Sequence, residues 1–291
     1  MRYLQERASL SLGAMQKVRE AAALVHTRVQ KRQRLGIKNL LMPLLVQSVY
    51  SKCLSVDSLG SWPGQGGETL WMPRFHFQRT KVVKERIQIG IFAGIHGDEP
   101  GGILGVMDFL RELDEHPELG RDFEIWVYPT CNPGGCADGT RNSRSGYDLN
   151  RQFWKNSDQN EVRLLEEEIR RRNFDGIIAL HSDDTADGFY GYARGAVIAT
   201  DLLAPALTKA EQVIERDRRT TIDGFEAFNG MVSGIFDGVL RAPEDQQSKP
   251  FEIILESPET APLSDQRRAF CLALESIITA YRSFIVYGAN L

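Results

Sequence analysis

The chain has 291 residues, of which 42% are hydrophobic and 25% are charged, and its formal net charge at pH 7 is −4. This composition is typical of a globular protein and provides apolar residues for one large domain or two modest ones. The slightly acidic net charge gives no reason to expect nucleic-acid binding. The sequence contains no run of about 18 uncharged apolar residues, so we predict no membrane-spanning helix. Four cysteines are too few for a disulfide scaffold at this length, so they predict free thiols.

A short apolar run, Leu40 to Val46, follows the basic segment Lys31-Arg32-Gln33-Arg34, an order that also occurs in signal peptides. The run contains Pro43, and no A-x-A cleavage pattern follows it. We therefore expect a cytoplasmic protein rather than a periplasmic or secreted one.

The first 36 residues contain eight Lys or Arg and two Asp or Glu. The rest of the chain contains 27 Lys or Arg and 37 Asp or Glu, so the basic residues are concentrated at the N-terminus. Apolar residues at loosely helical spacing predict a helix over Ala8–Gln33. This basic helix could pack on the main domain, or contact an acidic surface or lipid headgroups. We divide the chain into an N-terminal helical extension, residues 1–54, and a main domain, residues 55–291. The Ser-, Gly- and Pro-rich stretch Ser55–Gly67 predicts a loop at the start of that domain.

Strand and helix patterns alternate from Arg86 onward. Apolar runs predict strands at 87–93, 123–128, 176–180 and 251–255, and helical patterns lie at 103–113, 161–172, 202–216 and 265–283. Buried strands that alternate with helices predict an α/β fold with a mixed, largely parallel sheet and helices on both faces.

Candidate metal ligands follow two of these strands. His96 and Glu99 come directly after the first strand and are three residues apart, so both can reach one cation; His181 directly follows the strand at 176–180. In open α/β sheets, ligands bind beyond the carboxyl ends of the strands. Two histidines and one glutamate form a recurrent zinc set that leaves a coordination position open, so we expect one Zn²⁺ per chain.

A turn-rich segment lies between these ligands. It contains Asn132-Pro133-Gly134-Gly135, Gly139-Thr140-Arg141-Asn142 and Gly146-Tyr147-Asp148-Leu149-Asn150-Arg151-Gln152-Phe153. The planar fork of an arginine suits a carboxylate in bidentate geometry, and an adjacent asparagine can hydrogen-bond to the same ligand. The segment therefore predicts a carboxylate-binding loop.

These motifs occur in the order found in zinc carboxypeptidases, and the chain resembles that superfamily over roughly residues 86–183. The succinylglutamate desuccinylase and aspartoacylase branch shares the pattern. The block Asp148-Leu149-Asn150-Arg151-x-Phe153 together with His96-x-x-Glu99 carries most of the resemblance. The resemblance implies a zinc-carboxypeptidase-like catalytic domain in residues 55–291.

The resemblance also implies roles for individual residues. His96, Glu99 and His181 would bind zinc, and Arg141 would stabilise the negatively charged oxygen of the tetrahedral intermediate. Asn150 and Arg151 would bind the substrate carboxylate. Arg144, which has no clear counterpart in the family, could add a second carboxylate contact.

The family also places a catalytic glutamate late in the chain. Glu256 ends the apolar run at 251–255 and is followed by Ser-Pro, so we assign it as general base. Glu252 lies near the start of that strand, and we interpret it as structural.

The chain departs from the family in two places. No tyrosine occurs from Ala193 to Glu256, the interval in which carboxypeptidases carry a mobile substrate-binding tyrosine, and Tyr192 is the remaining candidate. Only 35 residues follow Glu256, which is shorter than the β-rich domain of the aspartoacylase branch.

Three functions remain open at this point. The first is a zinc hydrolase that cleaves a peptide or amide bond next to a free carboxylate, as a carboxypeptidase or peptide amidase does. The second is a deacylase of N-acyl amino acids, and the third is an inactive carboxylate-binding protein. The expected partner is a small peptide or an N-acyl amino acid.

Overall fold

The computed structural model describes residues 37–64, 67–79 and 86–288. The helix predicted over Ala8–Gln33 lies outside these ranges, and the domain boundary after residue 54 stays a prediction. Within the ranges, Ile37–Tyr50 forms helix α1, and no helix is long and apolar enough to cross a membrane. All four cysteines lie in described positions and are free thiols, as predicted.

Ten strands in the described ranges form one mixed sheet. They are β1 (Leu54–Pro63), β2 (Thr69–Gln78), β3 (Ile87–Ala93), β4 (Phe123–Tyr128), β5 (Gly176–Asp183), β6 (Tyr190–Ala193), β7 (Thr221–Ile222), β8 (Phe225–Phe228), β9 (Met231–Val232) and β10 (Phe251–Pro258). Their order across the sheet is β1-β2-β4-β3-β5-β10-β6-β9-β8-β7. The central strands β4, β3, β5 and β10 are mutually parallel, whereas β2 and β6 join this group in antiparallel orientation.

The other helices are α2 (Pro100–Glu115), α3 (Pro133–Asp138), α4 (Asn160–Arg172), α5 (Ala196–Ile198), α6 (Ala204–Ala210) and α7 (Leu263–Gly288). A π-helical turn, Ala199–Leu203, joins α5 to α6.

Helices cover both faces of the sheet because side chains alternate along the buried strands. Ile89 and Ile91 of β3 belong to one core cluster, together with apolar residues of α2, α6 and α7. Phe92, the next residue of β3, points to the opposite face. There it belongs to a second core cluster together with Leu165 of α4. Each fully buried side chain of this size contributes about 1.5–3 kcal/mol. The predicted fold class, a mixed α/β sheet with helices on both faces, is confirmed.

Two predicted elements are wrong. The stretch Ser55–Gly67 is not a loop, because most of it belongs to β1, which pairs antiparallel with β2. Its small and polar residues fit an edge strand that is largely exposed to solvent. The helix predicted over Leu202–Arg216 ends at Ala210, and Arg216 instead forms a bridge with Phe189.

A buried carboxylate ties α4 to the sheet. Oε1 of Glu168, on α4, accepts hydrogen bonds from Tyr128 Oη at 2.7 Å, Arg74 Nη1 at 2.8 Å and Arg172 Nε at 3.0 Å. Its Oε2 accepts a hydrogen bond from Arg171 Nε at 3.1 Å. Its side chain is only 2% exposed. Burial alone would raise the pKa of Glu168, but the hydrogen bonds from Tyr128 and the arginines outweigh it and lower this pKa to about 2.

We expect Glu168→Gln to lower the free energy of unfolding by about 3 kcal/mol, because it leaves the partly buried Arg74 and Arg172 without their anion. Urea titration measures this change. Glu167→Gln, an exposed position on the same helix, is the matched control and should change stability by less than about 0.5 kcal/mol.

The effect of Glu168→Gln should also depend on pH. Folding lowers the pKa of Glu168 from 4.5 to about 2. The ionised side chain therefore stabilises the fold fully above pH 4.5, and this stabilisation is lost as the pH falls toward about 2. The difference between wild type and Glu168→Gln should therefore shrink below about pH 4.5. A difference that stays constant down to acid would contradict this role.

Candidate active site

Three predicted metal ligands lie together at the carboxyl edge of the parallel strands. His96 Nδ1 lies 2.6 Å from Glu99 Oε1, His181 Nδ1 lies 3.0 Å from Glu99 Oε2, and the two Nδ1 atoms are 3.3 Å apart. A tetrahedral zinc ion bound at about 2.05 Å would separate its ligand atoms by about 3.3 Å. All three side chains are buried. The size and the donor chemistry of the group therefore fit one zinc ion.

The loop that carries His96 and Glu99 is held by a close backbone approach. A Cβ atom on Gly97 would lie 1.9 Å from the carbonyl carbon of Gly135, so only glycine fits there. Gly135 N donates to Asn132 Oδ1 at 2.8 Å, which caps α3. Gly97 N donates to Thr140 O at 2.9 Å. The Asn132-Pro133-x-Gly135 motif therefore builds the surface on which the ligand loop rests.

A partly buried thiol lies beneath the same loop. Cys136 Sγ lies 3.5 Å from Gly94 O, and burial raises the pKa of this thiol to about 12. Cys136 is therefore a neutral packing residue beside the candidate metal site.

Asp148 orients the first ligand. Its Oδ1 lies 3.2 Å from His96 Nε2. The carboxylate accepts a hydrogen bond from Nε2–H, which leaves the lone pair of Nδ1 directed at the candidate metal position. The same carboxylate accepts from Asn150 N at 2.9 Å and from Arg141 Nη2 at 3.1 Å. No role had been assigned to Asp148 from the sequence, although it opens the Asp-Leu-Asn-Arg block.

The side chains of His96, Glu99 and His181 shift one another's pKa values. Burial alone would raise the pKa of Glu99, but His181 and His96 lower it to about 2. Burial lowers the pKa of His181. His96 is also buried, but its hydrogen bonds to Asp148 and Glu99 reverse that effect and raise its pKa. Glu99 is therefore an anion at neutral pH, as a metal ligand must be.

The three candidate metal ligands open onto a cleft of about 410 Å³. Five more predicted site residues line this cleft, namely Arg141, Asn150, Arg151, Tyr192 and Glu256. The structure thus brings together eight of the nine residues that the sequence singled out.

Glu256 owes its position to strand register. β10 pairs in parallel with β5 so that Glu256 lies opposite His181, and it pairs with Tyr190 of β6 on its other side. Burial, followed by the carboxylates of Glu99 and Asp183, raises the pKa of Glu256 well above its ordinary value. Glu256 is therefore more basic than an ordinary carboxylate.

Neighbouring residues hold Asn150 and Arg151, the pair predicted to bind a carboxylate, in fixed orientations. Arg151 Nη1 donates to Asn150 O at 2.9 Å, and its guanidinium stacks 4.5 Å above the ring of Phe236. Asn150 Oδ1 accepts from Leu240 N at 2.9 Å, which turns the amide nitrogen toward His181 Nε2, 3.4 Å away.

Arg144 is the predicted residue that the structure places elsewhere. It donates to Asp138 through Nε at 2.7 Å and Nη2 at 3.2 Å and forms an ion pair with Glu68. It does not line the cleft formed by the described residues. Its partner Glu68 lies in the connection between β1 and β2.

Asp223 and Phe236 line the cleft without having been singled out from the sequence. Tyr192 Oη donates to Asp223 Oδ2 at 2.7 Å. Asp223 has φ of 52° and lies in the turn between β7 and β8. No sequence motif marks either residue, because both come from connections far from the metal ligands in the chain.

Comparisons with known proteins agree with this geometry. Residues 86–208 match the family model of the succinylglutamate desuccinylase/aspartoacylase catalytic domain. A search of curated proteins found no match.

Several solved structures share the fold. A candidate metallopeptidase from Shewanella denitrificans OS217 is 22% identical, with a TM-score of 0.70 over 84% of this chain and 90% of that chain. A second one, from Shewanella amazonensis SB2B, is 22% identical, with a TM-score of 0.71 over 84% and 93%. A metallo-carboxypeptidase from Burkholderia cenocepacia is 17% identical, with a TM-score of 0.61 over 85% and 69%.

The family-model match covers the segment that carries both the metal ligands and the Asp-Leu-Asn-Arg block, and the structural matches cover most of the chain. Residues 86–208 are thus similar to the succinylglutamate desuccinylase/aspartoacylase catalytic domain, and the chain shares its fold with the metallo-carboxypeptidase structures.

Proposed function

We propose that this protein is a zinc-dependent hydrolase that cleaves a peptide or amide bond next to a free carboxylate. The observation that carries the proposal is the presence of three kinds of group in one cleft: the His-Glu-His set, the Arg151 guanidinium and the Glu256 carboxyl. A purely structural metal site is usually closed by four protein ligands, and it needs neither an acid–base group nor a carboxylate-binding arginine.

Each residue of the cleft would have its own role in the proposed reaction. Arg151 and Asn150 would bind the substrate carboxylate and so place the scissile carbonyl. Arg141, which is 47% exposed, would donate to the carbonyl oxygen as negative charge develops there, a contribution of about 3 kcal/mol. Glu256 would take a proton from the attacking water and pass it to the leaving amine. Zinc bound by His96, Glu99 and His181 would polarise the carbonyl and acidify water.

A second candidate, deacylation of N-acyl amino acids, is favoured by the family-model match over residues 86–208. Its products also include a free amine, and the same residues would act in the same order. The two candidates differ in the acyl side of the substrate.

Screening zinc-loaded protein against C-terminal dipeptides, peptides with a C-terminal D-residue and N-acyl amino acids separates the two candidates. We expect release of a C-terminal amino acid from at least one peptide class. Hydrolysis of N-acyl amino acids alone would establish the deacylase instead. Binding without hydrolysis in every class would contradict both candidates.

Zinc content provides the first test of the site. We expect about one zinc per chain in wild type and little in His96→Ala, because two ligands do not hold the ion firmly. Asp148→Asn should weaken zinc affinity about 10- to 100-fold, since it disturbs the orientation of His96. His116→Ala, at an exposed position, is the control and should keep full zinc. Unchanged zinc in His96→Ala would contradict the ligand assignment.

Arg151→Lys tests carboxylate recognition. An ammonium group cannot reproduce the bidentate fork, so KM should rise at least about tenfold while zinc content stays the same. Arg144→Lys is the matched control, because Arg144 lies outside the cleft, and its KM should be that of wild type. Amidating the substrate carboxylate should impair wild type strongly and Arg151→Lys only slightly. Equal impairment of both proteins would exclude this role.

Glu256→Gln tests the general base. It keeps the shape of the side chain and removes the proton acceptor, so kcat should fall by roughly 10² to 10⁴ with zinc content retained. Glu226→Gln, on the exposed side of β8, is the control for the change in net charge. Full activity of Glu256→Gln would remove Glu256 from the mechanism.

A further inference from the structure

Helix α1 (Ile37–Tyr50) packs on the rest of the fold through one side only. Leu41 and Leu44 are fully buried in the core, and Gln47 Nε2 donates to Asp114 Oδ2 of α2 at 2.7 Å. Four apolar side chains of the same helix are exposed to solvent, namely Met42 (45%), Val46 (51%), Val49 (76%) and Tyr50 (83%). Successive residues of a helix are about 100° apart, so these four lie within one arc of about 100°.

The exposed side of α1 has the composition of a binding surface. Exposed apolar residues are common singly, but a contiguous apolar patch indicates an interaction. A helix at the surface of a globular protein usually carries charged and polar residues on its solvent-facing side. The only charged residue of α1 is Lys38, in its first turn. The sequence of α1 therefore suits a helix whose outer side contacts an apolar partner.

The chain around α1 is strongly basic. From Ala21 to Val56 the sequence contains no Asp or Glu, but it contains Arg28, Lys31, Arg32, Arg34, Lys38 and Lys52. Five of these six cations directly precede the exposed apolar residues of α1 in the sequence. A cluster of basic residues beside an amphipathic helix favours binding to anionic lipid headgroups.

The surface of a lipid bilayer offers partners for both features. Its anionic headgroups suit the basic residues, and the acyl boundary beneath them suits the apolar side of α1. With 14 residues, α1 is about 21 Å long, whereas the hydrocarbon core of a bilayer is about 30 Å thick. Because Leu41 and Leu44 belong to the protein core, α1 would lie along the bilayer surface. The exposed ring of Tyr50 suits the level of the headgroups.

We propose that α1 binds the surface of an anionic lipid bilayer. Met42, Val46 and Val49 insert at the acyl boundary, and the basic residues that precede α1 contact the headgroup phosphates. The chain after residue 36 contains 27 Lys or Arg and 37 Asp or Glu, so its net negative charge disfavours contact through the other surfaces. The proposal is independent of the proposed hydrolase, since no residue of the cleft takes part.

Sedimentation with lipid vesicles tests the proposal on the full chain. Wild type should sediment with vesicles of about 30% phosphatidylglycerol in phosphatidylcholine, and should bind vesicles of phosphatidylcholine alone at least about tenfold more weakly. Raising NaCl from about 0.1 M to about 1 M should also weaken binding to the anionic vesicles, because salt screens the contacts with the headgroups.

Two variants separate the apolar contribution from the charge contribution. Val49→Asp should weaken binding about tenfold or more, because it places a negative charge on the apolar side of α1. Phe228→Asp is its matched control, since Phe228 lies on β8 and is also 76% exposed. It should bind as wild type does.

The triple variant Lys31→Gln, Arg32→Gln, Arg34→Gln removes three of the basic residues and should likewise weaken binding about tenfold or more. Its matched control is Arg163→Gln, Lys209→Gln, Arg268→Gln, in which three exposed cations elsewhere are lost with the same change in net charge. This control should bind as wild type does.

Three results would overturn the proposal. The first is no sedimentation of wild type with anionic vesicles, and the second is binding by Val49→Asp or by the Lys31, Arg32, Arg34 triple variant that equals that of its control. The third is a lipid-free dimer, measured by light scattering, that Val49→Asp dissociates, because it would assign the apolar side of α1 to a second copy of the chain.

Discussion

Strand β5 pairs in parallel with β3 on one side and with β10 on the other, and this pairing determines where the chemistry can occur. Because parallel strands end at the same edge, the loop after β3 brings His96 and Glu99 to the His181 end of β5. The register of β10 then sets Glu256 opposite His181. A one-residue shift of β10 would turn Glu256 to the other face of the sheet, among the apolar side chains beneath it.

A second constraint acts within the loops. Gly97 and Gly135 let two backbone segments touch, and Asp148 hydrogen-bonds to His96, Arg141 and the backbone of Asn150 together. The polar motif therefore serves largely to position the candidate site residues. This explains why a short segment of chain, residues 132–151, contributes so much of the site.

The sequence was sufficient to predict the residues whose position follows from strand ends. Apolar runs that stop at His96, His181 and Glu256 identify both the strands and the edge at which they meet, and the fold class follows from the same alternation. Arg144 could not be placed in this way, since its partner Glu68 belongs to a hairpin whose exposed edge strand has the composition of a loop. Asp223 and Phe236 reach the cleft through tertiary packing alone, which no local pattern encodes. Glu252 lies on β10 without lining the cleft, but the lack of a hydrogen-bond partner for its Oε2 among the described residues can be recognised only once the surrounding backbone is known.

The partly buried thiol under the loop that carries His96 and Glu99 has a chemical consequence. Burial raises the pKa of Cys136 and so disfavours the thiolate, the form that attacks peroxides and captures soft metals. A sulfur atom therefore lies next to the candidate site in a form that is poorly suited to oxidation and to binding soft metals.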